Sequence, residues 1–222
     1  MTERGHVLDD AWYLDYAAGA LATEAHGVLM ASHLELSEDA RTRVGLLDRV
    51  GGAMLSDGGV RPPTFSADDI FALDESRRGD EAGTPDPGSR TMSCDFPMPS
   101  ALDAYLTRKG RSIRWEFLGP GLSKAMLWNG EDGTKLWLLR AQPGVSIPQH
   151  GHNGSELTLV LKGSFWDGNQ QYCPGDVEEA HESIEHDIRI DDSGECVCLA
   201  LTEGKLRFDN PLLRLMQVFT GL

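Results

Sequence analysis

The run Gly144-Val-Ser-Ile-Pro-Gln-His150-Gly-His152-Asn-Gly-Ser-Glu156 constrains this chain more than any other stretch. Two histidines one residue apart point the same way from an extended strand, so both imidazoles can reach one metal ion. Glu156 can return to that point across a tight turn, because Asn153-Gly154 supplies residues that tolerate positive φ. His181 and His186 each offer a further imidazole. Their separation of five residues argues against both entering one cavity from a regular strand. The C-terminal half therefore reads as a metal-binding β-barrel.

The rhythm around this run agrees. From Ser112 onward, strand-like stretches at 113–117, 123–128, 135–141, 157–166, 176–180, 195–201 and 216–219 are separated by Gly-Pro-Gly, Asn-Gly, Asp-Gly and Pro-Gly signals. That many short strands need a sandwich or barrel to protect their edges. The first 76 residues read instead as helices. Leu8 precedes a capping Asp9 and Tyr13 follows it in hydrophobic-staple spacing, with Leu14, Ala17, Ala18 and Leu21 marking one face. Thr23 caps a second helix whose stripe is His26, Leu29, Met30 and His33, and Ser37 opens a third with Ala40, Val44, Leu47, Val50 and Met54 on its buried side. A fourth helix is expected from Ser66. Residues 77–99, rich in glycine, proline and charge, read as a flexible linker. The expected organisation is α+β multidomain: a helical bundle over 1–76, the linker, and a barrel over 100–222.

A net charge of -15 argues against direct contact with DNA or RNA and favours a basic protein partner. No apolar run of about 18 residues is present to span a bilayer, and acidic Asp9 and Asp10 interrupt what a secretory signal would need, so a soluble, cytoplasmic protein is expected. The four cysteines show no framework spacing. Cys196 and Cys198 share a face of one strand, where they serve as core or as oxidisable groups beside the metal.

Three imidazoles and a carboxylate suit Zn, Fe, Mn, Ni or Co and disfavour Cu(I). Gly144, both histidines, Glu156 and Gly163 keep the spacing of the first cupin motif, and Pro174-Gly175-Asp176 resembles the start of the second. With His150-Gly-His152, Glu156-Leu-Thr-Leu-Val-Leu-Lys-Gly163, Gly175-Asp176-Val, Glu185-His186 and Cys196-Val-Cys198 in the barrel, and His6, Tyr16-Ala-Ala-Gly19 and Ser32-His33-Leu before it, the chain resembles the ChrR family. These are anti-sigma factors with an N-terminal zinc domain and a C-terminal cupin, a double-stranded β-helix of jelly-roll type. The resemblance implies sequestration of an extracytoplasmic-function sigma factor, release under oxidative stress, and zinc held by His150, His152, Glu156 and His186. It selects His186 over His181.

One departure is visible. The family carries His-x-x-x-Cys-x-x-Cys in the helical half, whereas this chain reads His33-Leu-Glu-Leu-Ser37-Glu-Asp-Ala40. Both thiolates are gone, so no strong N-terminal zinc site is expected. Ser37 can instead cap the third helix and Ala40 can join its apolar face. The competing class is a metal-dependent cupin enzyme, with an open metal position supporting dioxygenase or isomerase chemistry and Trp128, Trp137 and Trp166 either lining a pocket or filling core. Cupin sheets also offer surfaces for a homodimer.

Overall fold

The computed structural model describes residues 8–58, 94–152, 154–181, 186–203 and 206–207, with only the backbone of 148–152, 186, 187, 206 and 207. Four described helices are α1 (Asp10–Ala18), α2 (Glu24–Leu36), α3 (Glu38–Asp57) and α4 (Ser100–Arg108). Eleven described strands follow: β1 (Glu116–Gly119), β2 (Leu122–Asn129), β3 (Lys135–Ala141), β4 (Ser146–His152), β5 (Glu156–Lys162), β6 (Phe165–Asp167), β7 (Gln170–Tyr172), β8 (Val177–Ala180), β9 (His186–Ile190), β10 (Cys196–Thr202) and β11 (Leu206–Arg207). The helix expected from Ser66, the strand expected at 216–219 and the linker up to residue 93 lie outside the described residues. Contacts divide the chain into two units, Met1–Leu47 with Cys94–Leu222, and Asp48–Ser93.

The helix starts follow their capping chemistry. Asp9 accepts from the Ala11 N–H at 2.8 Å, Thr23 from the His26 N–H, and Ser37 from the Ala40 N–H. Gly19 ends α1 in the left-handed conformation. Leu8 and Tyr13 are both buried, as a staple requires, but Leu14 is 53% exposed. On α3 burial stops at Val44, and Val50 and Met54 are exposed. Periodicity identifies an apolar face without saying whether anything lies on it.

The strands form a six-stranded sheet in the order β1-β2-β3-β10-β5-β8 and a five-stranded one in the order β11-β4-β9-β6-β7. Trp137, Leu139, Ala141, Val160, Cys196, Cys198 and Ala200 from the first sheet pack with Phe165, Tyr172, Ile188 and Ile190 from the second. Strand alternation sends the intervening residues Leu138, Leu159, Leu199 and Leu201 to the other face, where they are also buried. Helix α2 packs on β10 there and also against α4.

Helix α4 was not legible as a helix. Its N-cap is Pro99, which has no side-chain hydrogen bond to give. The cap comes from α2: Glu35 accepts from the Ser100 and Ala101 N–H groups, both at 2.7 Å. At the opposite end Glu24 pairs with Arg108 and Lys109, so α2 and α4 run antiparallel. Leu102, Tyr105 and Leu106 of α4 are fully buried. Glu35→Ala should destabilise the chain by about 1 kcal/mol, the usual worth of a helix cap, read as a lower denaturant midpoint with unchanged m-value.

Candidate metal centre

The β4–β9 ladder makes His150 and His186 direct cross-strand partners. His152, two positions along, is the partner of Leu206. The ladder is irregular between Ile147 and His150, the kind of local kink that re-aims strand residues. Glu156 opens β5 in the other sheet, paired to Thr202 on one side and Ala180 on the other. Three histidine positions are thus neighbours on one sheet, and residues 153–155 carry the chain from them to the carboxylate position.

Of the Asn153-Gly154 pair expected to turn the chain, Asn153 lies outside the described residues, and Gly154 is required by a close approach of backbone. It is absent from the described glycines with positive φ. A Cβ there would stand 2.5 Å from the Glu203 carbonyl oxygen, and the Glu203 N–H donates to the Ser155 carbonyl at 2.8 Å. His181 is exposed, with Nε2 3.6 Å from Glu179 Oε1.

Polar groups line part of the inward face beside Glu156. Glu156 itself is buried and accepts from the Thr158 hydroxyl at 3.4 Å. Glu178, the cross-strand partner of Thr158, is 1% exposed. Sequence reasoning missed Glu178, although adjacent glutamates in a strand must face opposite ways, so covering the sheet buries one of them. The Cys196 and Cys198 sulfurs lie 3.6 Å apart and both are free thiols. The hydrogen bond with Cys196, burial, and the charges of Glu178 and Glu156 hold Cys198 well above the ordinary thiol range. Trp137 is core, while Trp166 donates to Asp191 at 3.0 Å.

The helical half places its histidines elsewhere. His33 Nδ1 lies 2.8 Å from the Gly175 carbonyl oxygen, and Nε2 lies 2.9 Å from the Tyr13 hydroxyl. A carbonyl can only accept, so Nδ1 carries the proton and neutral Nε2 accepts from the tyrosine. Both ring nitrogens are engaged. Ser37 caps α3 and Ala40 is fully buried, so neither supplies a ligand, and His6 lies outside the described residues. This donor set does not fit zinc.

Residues 106–205 match the family described as the ChrR Cupin-like domain. Over 221 residues, 99% of each chain, the sequence is 36% identical to the anti-sigma-E factor ChrR of Cereibacter sphaeroides. The chain belongs to the ChrR family. The crystal structure of Rhodobacter sphaeroides SigE in complex with the anti-sigma ChrR matches with a TM-score of 0.65 at 33% identity, covering 89% of this chain and 98% of that one. Membership of a ChrR-type cupin family suggests metal binding in the barrel. No described helix is long and apolar enough to cross a membrane.

Within this ChrR-family chain, burial lowers the pKa of His26 and of His33. Around His33 stand Tyr13, Asp39, Arg43, Asp176 and the Gly175 carbonyl; around His26 stand Trp12, Thr23, Asp132 and Glu203. Above about pH 6.5, the ordinary histidine value, neither folded nor unfolded chain protonates these rings appreciably. Below it the unfolded chain takes up protons that the folded chain resists, so these two groups make stability fall as pH drops from there toward their folded-state values. Denaturant melts at stepped pH should show that fall, and His33→Gln should make it shallower.

Proposed function

We propose that this chain is a cytoplasmic anti-sigma factor that sequesters an extracytoplasmic-function sigma factor through its helical module and releases it under oxidative stress sensed by its cupin. The observation that carries the reading is the likeness, over nearly the full length, to the anti-sigma-E factor ChrR, joined by the match to the complex of SigE with the anti-sigma ChrR. The net charge of -15 supports a protein partner with a basic surface.

In this reading the cupin holds one metal ion, zinc in preference to Fe, Mn, Ni or Co, through His150, His152, Glu156 and His186. The cross-strand pairing of His150 with His186 supports that set, as does the exposure of His181 beside Glu179. Three nitrogens and an oxygen suit zinc, which would supply a tether without redox cycling of its own. Pairing of β5 to both β8 and β10 fixes the Glu156 backbone, and the Thr158 hydroxyl orients its carboxylate. A thiol held protonated is a poor nucleophile, which weighs against Cys198 as the first sensing group.

Affinity capture of the full chain from its native cells should recover a sigma factor in about 1:1 ratio. Recovery of a small-molecule turnover with no sigma factor would overturn the reading in favour of an enzyme. For the metal, His150→Ala, His152→Ala, Glu156→Ala and His186→Ala should each weaken zinc binding by at least the roughly 10- to 100-fold that loss of an outer-shell partner costs. His181→Ala should bind zinc as the parent does. Chelator competition and elemental analysis read both.

A further inference from the structure

We propose that the β7–β8 corner of the barrel is a latch that holds α1 and α2 in place, with His33 acting as a pin in it rather than as a metal ligand. Adjacent residues of β8 face opposite ways, so while Glu178 stands on the inward face, Glu179 faces the helices. Glu179 is 5% exposed. Its two oxygens accept from the Asp9 N–H at 2.7 Å and the Trp12 indole N–H at 2.8 Å. A buried carboxylate thus meets the start of α1, where the helix dipole favours negative charge, and Asp9 caps the same turn through its own side chain.

The second attachment runs in one line from Tyr13 of α1 through His33 of α2 to the Gly175 carbonyl of the corner. Gly175 takes φ +95°, and a Cβ there would stand 3.0 Å from the Leu36 carbonyl oxygen, so the last turn of α2 lies directly against the corner. Trp12, held by Glu179, stacks on His26 with ring centroids 5.4 Å apart, and His26 Nε2 lies 3.3 Å from Glu203 Oε1. Each attachment joins a helix to barrel residues far away in sequence, and each is part-buried or buried. The relative placement of α1 and α2 is therefore set by the barrel. Glu179 and His33 are positioning residues.

Hydrogen exchange of the full-length chain tests this, with β3 and β10 as internal references. Glu179→Ala should speed exchange across α1 about tenfold, the scale of a lost charge-assisted hydrogen bond. Glu179→Gln, which keeps one acceptor oxygen, should fall between. Tyr13→Phe and His33→Gln should loosen the end of α2 while leaving metal content as in the parent. Should Glu179→Ala unfold the reference strands, Glu179→Gln and Tyr13→Phe decide. Exchange in α1 and α2 within about twofold of the parent for these variants, or loss of one metal equivalent in His33→Gln, overturns the latch. If the helical module recognises the sigma factor, as the reading above holds, Glu179→Ala also weakens that binding. A parent chain that binds no sigma factor defeats that reading alone, because exchange judges the latch independently.

Discussion

Strand β10 is buried along its whole length on both faces, and the rest of the structure is arranged to satisfy it. Its backbone groups are paired by β3 on one side and β5 on the other. Cys196, Cys198 and Ala200 enter the core between the sheets, while Val197, Leu199 and Leu201 face the other way and require a cover. A jelly-roll sheet exposed to water on that second face would leave a row of leucines unburied. Helix α2 packs on β10, and α4 is bound antiparallel to α2 by ion pairs and by a borrowed cap. The helices and the barrel are thus joined by hydrophobic burial before any specific polar contact is considered.

Polar contacts then decide the placement. Burying a carboxylate is costly unless hydrogen bonds replace its water, and β8 buries two in succession, Glu178 inward and Glu179 toward α1. Glu179 recovers its loss from the N-terminal backbone of the first helix and the Trp12 indole. His33 similarly donates its Nδ1–H to a barrel carbonyl and accepts at Nε2 from the Tyr13 hydroxyl. A histidine engaged at both nitrogens has no lone pair left for a metal. With Ser37 and Ala40 at the start of the third helix and His33 engaged at both nitrogens, hydrogen bonds to Tyr13 and to the barrel fix this part of the helical half.

Much of this was legible from residue order. Asp9, Thr23 and Ser37 announce helix starts because capping depends only on the following two or three residues. The strand expected at 135–141 coincides with β3, since its apolar run is bounded by unambiguous turn signals. The single strand expected at 157–166 is instead β5 and β6, broken at Gly163. Helix α4 escaped because its cap is a side chain 65 positions away. The exposed Val50 and Met54 escaped because amphipathicity describes a face and cannot supply its partner.

Residue order alone determined the barrel, the helical half, the spacing of His150, His152 and Glu156, and the absence of thiolates at positions 37 and 40, because each rests on periodicity or on neighbours a few residues apart. Tertiary structure decided that His186 stands opposite His150, that Glu178 and Glu179 divide between the core and α1, and that His33 meets Gly175. Those pairings depend on which distant strands and helices share a ladder or a face. Register between such elements is set by burial and hydrogen bonding across the whole fold, which no local stretch of sequence encodes.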